Sequence, residues 1–291
     1  MACIEAGGLR KTFGGTLALD SVDLRVDEGR IVGLIGPNGA GKTTALNAML
    51  GLVPYQGELR VLGRDPWTAR ERLMNDVCFI ADVAVLPRWM RVWQLLDFVA
   101  AVHPRFDRAK AEAFLANTTI GRDKRVRELS KGMVTQLHLA VVMAIDARLL
   151  LLDEPTLGLD ILYRKQFYDS LLHDYYDRSR TIVVTTHQVE EIQHVVTDVV
   201  FLHRGRVVFQ RSMDDIEAGF LEVMVRPEQV AAARAQGPLH ERDSLGRTIM
   251  LFEGGDRSQL TALGDIRTPS IADLFVAVIR NQEAQAQGAA R

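Results

Sequence analysis

The sequence lacks the features that mark several large classes of protein. Its 291 residues include only two cysteines, Cys3 and Cys78, in no C-x-x-C pair, so there is no metal-site pattern. Such sparse cysteine usage is typical of a reducing cytoplasm. The formal net charge is -2, and no long run of like charge occurs that would form a basic surface for nucleic acid or an anionic membrane. We therefore expect no nucleic-acid partner.

Long hydrophobic runs are also missing. The longest apolar region, residues 137–152, is interrupted by His138, Asp146 and Arg148, so it is not a membrane span. The first five residues have neither the basic start nor the apolar centre of a secretory leader, and we expect none. The chain is 47% apolar, which is enough for a substantial core. Because no membrane span is predicted, a role at a membrane would need another chain to cross the bilayer.

The most specific pattern present is a glycine-rich segment between an apolar run and a helix-forming run. Residues 36–44 read GPNGAGKTT and match G-x-x-x-x-G-K-[ST] at every position. Glycines at this spacing turn backbone N–H groups toward phosphate oxygens, the lysine reaches the β- and γ-phosphates, and the next hydroxyl ligates Mg²⁺. The segment therefore predicts a site for a nucleoside triphosphate. Its contact residues are Gly36, Asn38, Gly39, Ala40, Gly41, Lys42, Thr43 (the Mg²⁺ ligand) and Thr44.

Two adjacent carboxylates follow the four leucines at 149–152. Such a run is typical of a strand buried on both faces of a parallel sheet, and α/β sheets bind ligands at the carboxyl ends of their strands. We interpret Asp153 as a Mg²⁺ ligand, acting through water, and Glu154 as the group that polarises the attacking water. His187 ends another predicted strand at the same edge, and we expect it to contact the γ-phosphate.

Three other features allow two interpretations each. Phe13 is either a core residue or a platform on which adenine stacks. Ser130 is either a simple helix cap or, with Gly132, part of an anion-binding helix start. Trp89 and Trp93, in an aromatic-rich stretch, are either core residues or part of a docking surface.

The order of predicted elements gives an α/β fold. We expect a mainly parallel core sheet, an antiparallel β edge before the phosphate loop, a helical insertion at about 68–145 and a small α+β appendage. The predicted domains are a nucleotide-binding domain at 1–217 and the appendage at 218–281. Residues 282–291 are predicted to be a disordered tail.

These motifs, in this order, resemble the ATP-binding subunits of ABC transporters over roughly residues 3–215. Beside the phosphate loop, the resemblance rests on Leu129-Ser130-Lys131-Gly132-Met133 as the signature, 149–154 as the second Walker motif, Gly158-Leu159-Asp160 as the D-loop and His187 as the switch histidine. It implies a P-loop NTPase of the ABC ATPase type that binds and hydrolyses ATP with Mg²⁺.

The resemblance also implies partners. Two copies would form a head-to-tail dimer around two ATP, in which Ser130 and Gly132 of one copy face the ATP held by Lys42 of the other. Asp160 would belong to this shared site, and Phe13 would stack on adenine. A separate multi-helix permease would dock near residues 82–93, so that the chain lies in the cytoplasm on the inner face of the cytoplasmic membrane.

Two features depart from the family pattern. Asp82 stands where the family usually has a glutamine, and we expect it to ligate Mg²⁺. The signature reads LSKGM rather than the commoner LSGGQ, and in this it resembles a branch of single-domain ATPases that are paired with separate multi-helix permeases, often in export.

Two alternatives differ in class from a transporter subunit. The first is a soluble ABC-type ATP switch that acts on the ribosome or DNA. Such relatives carry two ATPase domains, coiled coils or zinc-binding cysteines, and this chain shows none of these patterns. The second is a subunit that binds ATP without hydrolysing it, which the presence of Lys42, Glu154 and His187 disfavours. The transported substrate is not encoded in any pattern of the sequence.

Overall fold

The computed structural model describes residues 1–81, 86–157, 159–244 and 246–289, so the predicted Mg²⁺ ligand Asp82 and Gly158 of the D-loop lie outside the described residues. The strands are β1 (Ala2–Phe13), β2 (Thr16–Asp27), β3 (Ile31–Ile35), β4 (Gln56–Val61), β5 (Val77–Ile80), β6 (Leu149–Asp153), β7 (Thr181–Thr186), β8 (Asp198–His203), β9 (Arg206–Ser212), β10 (Phe220–Val225), β11 (His240–Ser244), β12 (Arg247–Glu253) and β13 (Gly264–Arg267).

The α-helices are α1 (Lys42–Met49), α2 (Arg70–Leu73), α3 (Val92–Val102), α4 (Arg108–Ala116), α5 (Lys131–Met143), α6 (Ile161–Ser170), α7 (Val189–Ile192), α8 (Met213–Gly219), α9 (Val230–Ala235), α10 (Arg257–Leu263) and α11 (Ile271–Ala289). Short 3₁₀ turns lie at Val126–Glu128 and Pro227–Gln229, and a π-helical turn at Leu171–Tyr175 extends α6.

A six-stranded sheet in the order β5-β6-β7-β3-β8-β9 forms the centre of the fold, and only β9 runs antiparallel to its neighbour. Strands β3, β5, β6 and β7 are buried along almost their whole length, because both faces of this part of the sheet are covered. In β3, Ile31 and Ile35 face the core beneath the helices of the insertion, whereas Val32 and Leu34 face α1 and the antiparallel sheet β2-β1-β4. The predicted α/β architecture, with a mainly parallel sheet and an antiparallel edge, is confirmed.

The helical insertion that the sequence predicts at about 68–145 contains a strand. Residues 77–80 (VCFI) form β5, which pairs in parallel with β6 and places Cys78 beside Leu150. Four residues are too few to show a period, and only the neighbouring strand makes this run a strand. The helical part of the insertion, α3 to α5, therefore follows β5.

The appendage has a sheet of its own, in the order β11-β12-β10-β13, with a small core that includes Val223 and Met250. Helix α11 joins this sheet to the nucleotide-binding part, because Leu274 and Ala277 are buried in the core beneath the central sheet. The ring of Phe275 packs edge-on against Phe201 of β8, with centroids 5.1 Å apart.

Two features at this end of the chain differ from the prediction. The segment predicted as a disordered tail from residue 282 is helical through Ala289, because its alanines and glutamines favour helix. Strand β13 was not predicted. The boundary between residues 217 and 218 stays a prediction. Among the described residues, no helix is long and apolar enough to cross a bilayer.

Candidate active site

The phosphate loop, residues 36–41, connects the end of β3 to the start of α1. Two of its glycines leave no room for a side chain. A Cβ on Gly36 would lie 2.3 Å from the carbonyl oxygen of Leu202, and one on Gly41, whose φ is 109°, would lie 2.6 Å from that of Ala18. The loop is therefore held close to the backbone on both sides, with the first N–H groups of α1 directed at its concave side.

The turn between β8 and β9 holds this loop from outside. Gly205 donates its N–H to the carbonyl of Ala40 (2.9 Å) and accepts the N–H of Asp20 (2.8 Å). Arg204 and Gly205 both have positive φ, as a two-residue hairpin turn requires. Arg204 also pairs with Glu283 of α11 at 3.2 Å. The turn thus connects the phosphate loop to the last helix.

Lys42 is buried at the first position of α1. Its ammonium donates to the carbonyls of Gly36 (2.7 Å) and Pro37 (3.3 Å) and lies 3.2 Å from Oε1 of Glu154. An ammonium has three protons, and these three oxygens account for all of them. The lysine of the phosphate loop is therefore in direct contact with Glu154, the predicted base.

Glu154 also contacts His187, because β6 and β7 are parallel neighbours that end at the same edge. Oε2 of Glu154 lies 2.9 Å from Nδ1 of His187. The backbone of Glu154 has a φ of 47°, a left-handed conformation that costs a non-glycine residue about 1–3 kcal/mol and is typical of functional sites. The carboxylate is thus placed between an ammonium and an imidazole, an arrangement suited to polarising a water molecule.

Thr185 of β7 fixes the two carboxylate residues relative to each other. Its hydroxyl donates to Oδ1 of Asp153 (2.6 Å) and accepts the N–H of Glu154 (3.1 Å). The sequence analysis missed this residue, since one threonine in a β-branched strand carries no distinguishing signal.

The predicted Mg²⁺ ligands within the described residues are Thr43 and Asp153. The Thr43 hydroxyl is exposed at the start of α1, and Oδ2 of Asp153 accepts no hydrogen bond from the described residues. A carboxylate and a hydroxyl, together with phosphate oxygens and water, are ligands that Mg²⁺ takes. These residues therefore fit the ion.

The signature residues lie at the start of α5, where no hydrogen bond or ion pair in the described part of the chain joins them to Lys42 or Glu154. Ser130 is exposed and caps α5 by accepting the N–H of Met133 at 3.3 Å. Gly132 is covered by Tyr163 of α6, since a Cβ there would lie 2.2 Å from Cζ of that ring. Within one copy, the described hydrogen bonds and ion pairs thus do not join the signature to the phosphate loop.

The predicted D-loop residue Asp160 caps α6. Its Oδ1 accepts the N–H groups of Leu162 (3.0 Å) and Tyr163 (3.1 Å). Because Tyr163 lies on Gly132, the D-loop and the signature meet at this point. The next two side chains, Ile161 and Leu162, are 81% and 80% exposed.

Arg164, which the sequence analysis also missed, joins the D-loop to the segment after His187. Its Nε donates to the carbonyl of Leu159 and its Nη1 to Oε1 of Gln188, both at 2.7 Å, and it pairs with Glu191. Glu191 in turn accepts the hydroxyl of Thr156 at 2.8 Å. A lone arginine in a helix gives no sign of such a role.

The aromatic residues that allowed two interpretations differ in how far the structure exposes them. Phe13 is exposed at the end of β1, with the Lys11 ammonium 4.6 Å from its ring centroid, so it is not a core residue. Trp89 is 67% exposed, whereas Trp93 is half-buried.

The remaining predicted contact residues of the phosphate loop differ in exposure. Asn38 and Gly39 are exposed, Ala40 is buried and Thr44 is half-buried.

Comparisons with known proteins point to one family. The model of the ABC transporter family matches residues 19–157. The sulfate/thiosulfate import ATP-binding protein CysA of Rhodopseudomonas palustris is 34% identical, over 82% of this chain and 74% of that protein. The daunorubicin resistance ATP-binding protein DrrA3 of Streptomyces coeruleorubidus is 32% identical, over 86% and 77%. The Nod factor export ATP-binding protein I of Rhizobium sp. (strain N33) is 34% identical, over 94% and 95%.

Solved structures share the fold. A structure described as the ATP-binding subunit of an ABC transporter superposes with a TM-score of 0.65 at 24% identity, over 74% of this chain and 92% of that one. The structure of cbiO1 from Clostridium perfringens, described as part of the ABC transporter complex cbiONQ, gives 0.63 at 23% identity, over 75% and 91%.

Proposed function

Because the chain belongs to the ATP-binding subunits of ABC transporters and is an ATPase coupled to transport, we propose that it drives export through a separate permease. Two copies would close around two ATP with Mg²⁺ to do so. The observation that carries the ATP hydrolysis in this proposal is the contact of Lys42 and His187 with the same carboxylate, Glu154, beside the phosphate loop.

In the proposed mechanism, a γ-phosphate oxygen takes the place of Glu154 on the Lys42 ammonium. Oε1 of Glu154 then becomes free to accept a proton from the attacking water, while Oε2 stays bonded to His187. Mg²⁺ held by Thr43 and Asp153 would neutralise charge on the phosphates. Thr185 keeps Asp153 and Glu154 at a fixed separation during this exchange.

The proposed dimer is supported by the surface beside the D-loop. Ser130 is exposed, and Ile161 and Leu162 form an exposed apolar pair next to Asp160. Exposed apolar side chains of this size favour burial in an interface. A second copy arranged head to tail would cover them and would bring its Ser130 and Gly132 to the ATP of the first.

A matched pair of variants tests hydrolysis and the dimer together. We expect Glu154→Gln to reduce ATP turnover about 10²–10⁴-fold, since an amide cannot accept the proton. On a sizing column with light scattering, the Glu154→Gln protein should have twice the mass in Mg-ATP that it has in Mg-ADP, as expected for a dimer that forms around ATP. Glu190→Gln, at an exposed acid on α7, should keep normal turnover. Undiminished turnover in Glu154→Gln would remove this carboxylate from its role, and a monomer in Mg-ATP would contradict the proposed dimer.

The permease is proposed to dock at the helical insertion, near residues 82–93. The exposed ring of Trp89 supports this surface, since exposed tryptophans are enriched at binding hot spots. Relatives named for drug resistance and for Nod factor export support an outward direction, although one named for sulfate import is of similar identity. Docking would place the chain on the inner face of the cytoplasmic membrane.

Affinity purification of the tagged chain from detergent-solubilised membranes, followed by mass spectrometry, tests the partner. We expect a multi-helix membrane protein whose yield falls in Trp89→Ala and not in Trp67→Ala, an exposed tryptophan before the insertion. Recovery of ribosomes or DNA without a permease would favour the soluble switch instead.

A further inference from the structure

A cavity of about 260 Å³ lies between the appendage sheet and α11, outside the ATPase site. Its apolar wall is formed by Ile249 and Leu251 of β12 and by Val276 of α11. Val276 is 42% exposed and marks the open side. The space is enough for a ring or short chain of carbon atoms, and ligand sites typically combine such a wall with a few polar groups.

The acidic groups of this cavity already have partners. Glu222 of β10 is 1% exposed and pairs with Arg267 and, at 3.5 Å, with Arg242. Asp273 of α11 pairs with Arg242 at 3.1 Å. Two carboxylates thus share two guanidinium groups, which leaves no net charge in this cluster.

Two further groups that line the cavity are not satisfied in this way. Arg280 is exposed at the rim of the cavity, one α-helical turn from Val276, and has no ion pair or side-chain hydrogen bond within the described ranges. Nε2 of His240 is buried without a hydrogen-bond partner. Burial, and then the positive charges of Arg280 and Arg242, lower the pKa of His240, so its ring is neutral at pH 7. The rim of the cavity therefore carries one positive charge, on Arg280, that no described carboxylate neutralises.

We propose that this cavity binds a small organic monocarboxylate whose apolar body packs on Ile249, Leu251 and Val276. Arg280 pairs with the carboxylate, since a guanidinium matches a carboxylate in charge and planar geometry. Phosphate fits less well, because it carries more than one negative charge at pH 7 and only the charge on Arg280 is available to neutralise it.

The test measures binding of the probe 4-fluorobenzoate to the full chain, using the ¹⁹F NMR line width of the probe. We expect saturable binding that is weakened about tenfold or more in Arg280→Gln, since a hydrogen bond between two charged groups is roughly twice as strong as one between neutral groups. Arg257→Gln, at an exposed arginine of α10 away from the cavity, should bind as the unmodified chain does. Val276→Trp, which fills the open side from an exposed position, should abolish binding without lowering the thermal midpoint.

Three results would overturn the proposal. These are absence of saturable binding to the unmodified chain, equal binding of the uncharged analogue 4-fluorobenzamide, and binding that persists in both Arg280→Gln and Val276→Trp. Competition separates the ligand classes, because hexanoate should displace the probe at lower concentration than inorganic phosphate. The reverse order would contradict the carboxylate assignment.

Discussion

Replacing Leu274 by alanine measures how far α11 contributes to the stability of the nucleotide-binding part. Leu274 has no exposed surface and packs in the core beneath the central sheet. The change removes three carbon atoms, each worth about 0.8 kcal/mol of transfer free energy. The cavity left behind adds about 24 cal/mol per Å³. We therefore expect the free energy of unfolding to fall by about 3–4 kcal/mol.

Differential scanning calorimetry with and without Mg-ATP is the appropriate assay, because a ligand raises the midpoint only of the unit that binds it. At about 2–4 °C per kcal/mol, the expected fall in the midpoint is roughly 6–16 °C. It should occur in the transition that Mg-ATP raises.

Val276→Ala provides the matched control, since it truncates an exposed side chain two residues away on the same helix. We expect this change to cost less than about 1 kcal/mol. The reasoning is refuted if Leu274→Ala shifts the midpoint no more than Val276→Ala does. It is also refuted if the shift appears only in a transition that Mg-ATP leaves unchanged.

Three further predictions concern other parts of the chain. Arg164→Gln should lower ATP turnover, because it removes the guanidinium that links the Leu159 carbonyl of the D-loop to Gln188 after His187. Expressed as free energies, the loss in turnover should be at least as large as the loss in stability; steady-state ATPase rates and urea midpoints check this. Gly36→Ala should abolish binding of a fluorescent ATP analogue, because its Cβ would meet a backbone oxygen at 2.3 Å, whereas Gly39→Ala, with nothing within 4 Å, should weaken binding only through strain at its positive φ. Burial lowers the pKa of His138 from 6.5 to about 4, so protonation favours the unfolded chain and stability should fall as pH drops below about 6.5. Urea unfolding at pH 7 and pH 5 should differ by about 2 kcal/mol, and less in His138→Leu.

The phosphate loop was predictable because its requirements are local. Glycines at fixed spacing, a lysine and a hydroxyl belong to one continuous segment, so the pattern determines the conformation. Asp153 and Glu154 were predictable for a related reason, since a doubly buried strand fixes where its last residues lie. The family membership inferred from these motifs was confirmed by the comparisons.

Residues that act through neighbours in space left no such pattern. The importance of Thr185 depends on the register of β6 against β7, and that of Arg164 on how α6 packs beside α7. Strand β5 is a strand because β6 lies beside it. The cavity at Arg280 depends on the packing of α11 against β11 and β12, which no local spacing encodes.

The turn at Arg204 and Gly205 bears on where this protein can be labelled. Hairpin tips usually accept inserted tags or fluorophores, because few groups depend on them. Here the tip is bonded to Ala40 on one side, to Asp20 on the other and to Glu283 of α11. An insertion would therefore disturb ATP binding from outside the site. The β11–β12 hairpin at Gly246, where an added Cβ would meet nothing within 4 Å, is the better position for a reporter.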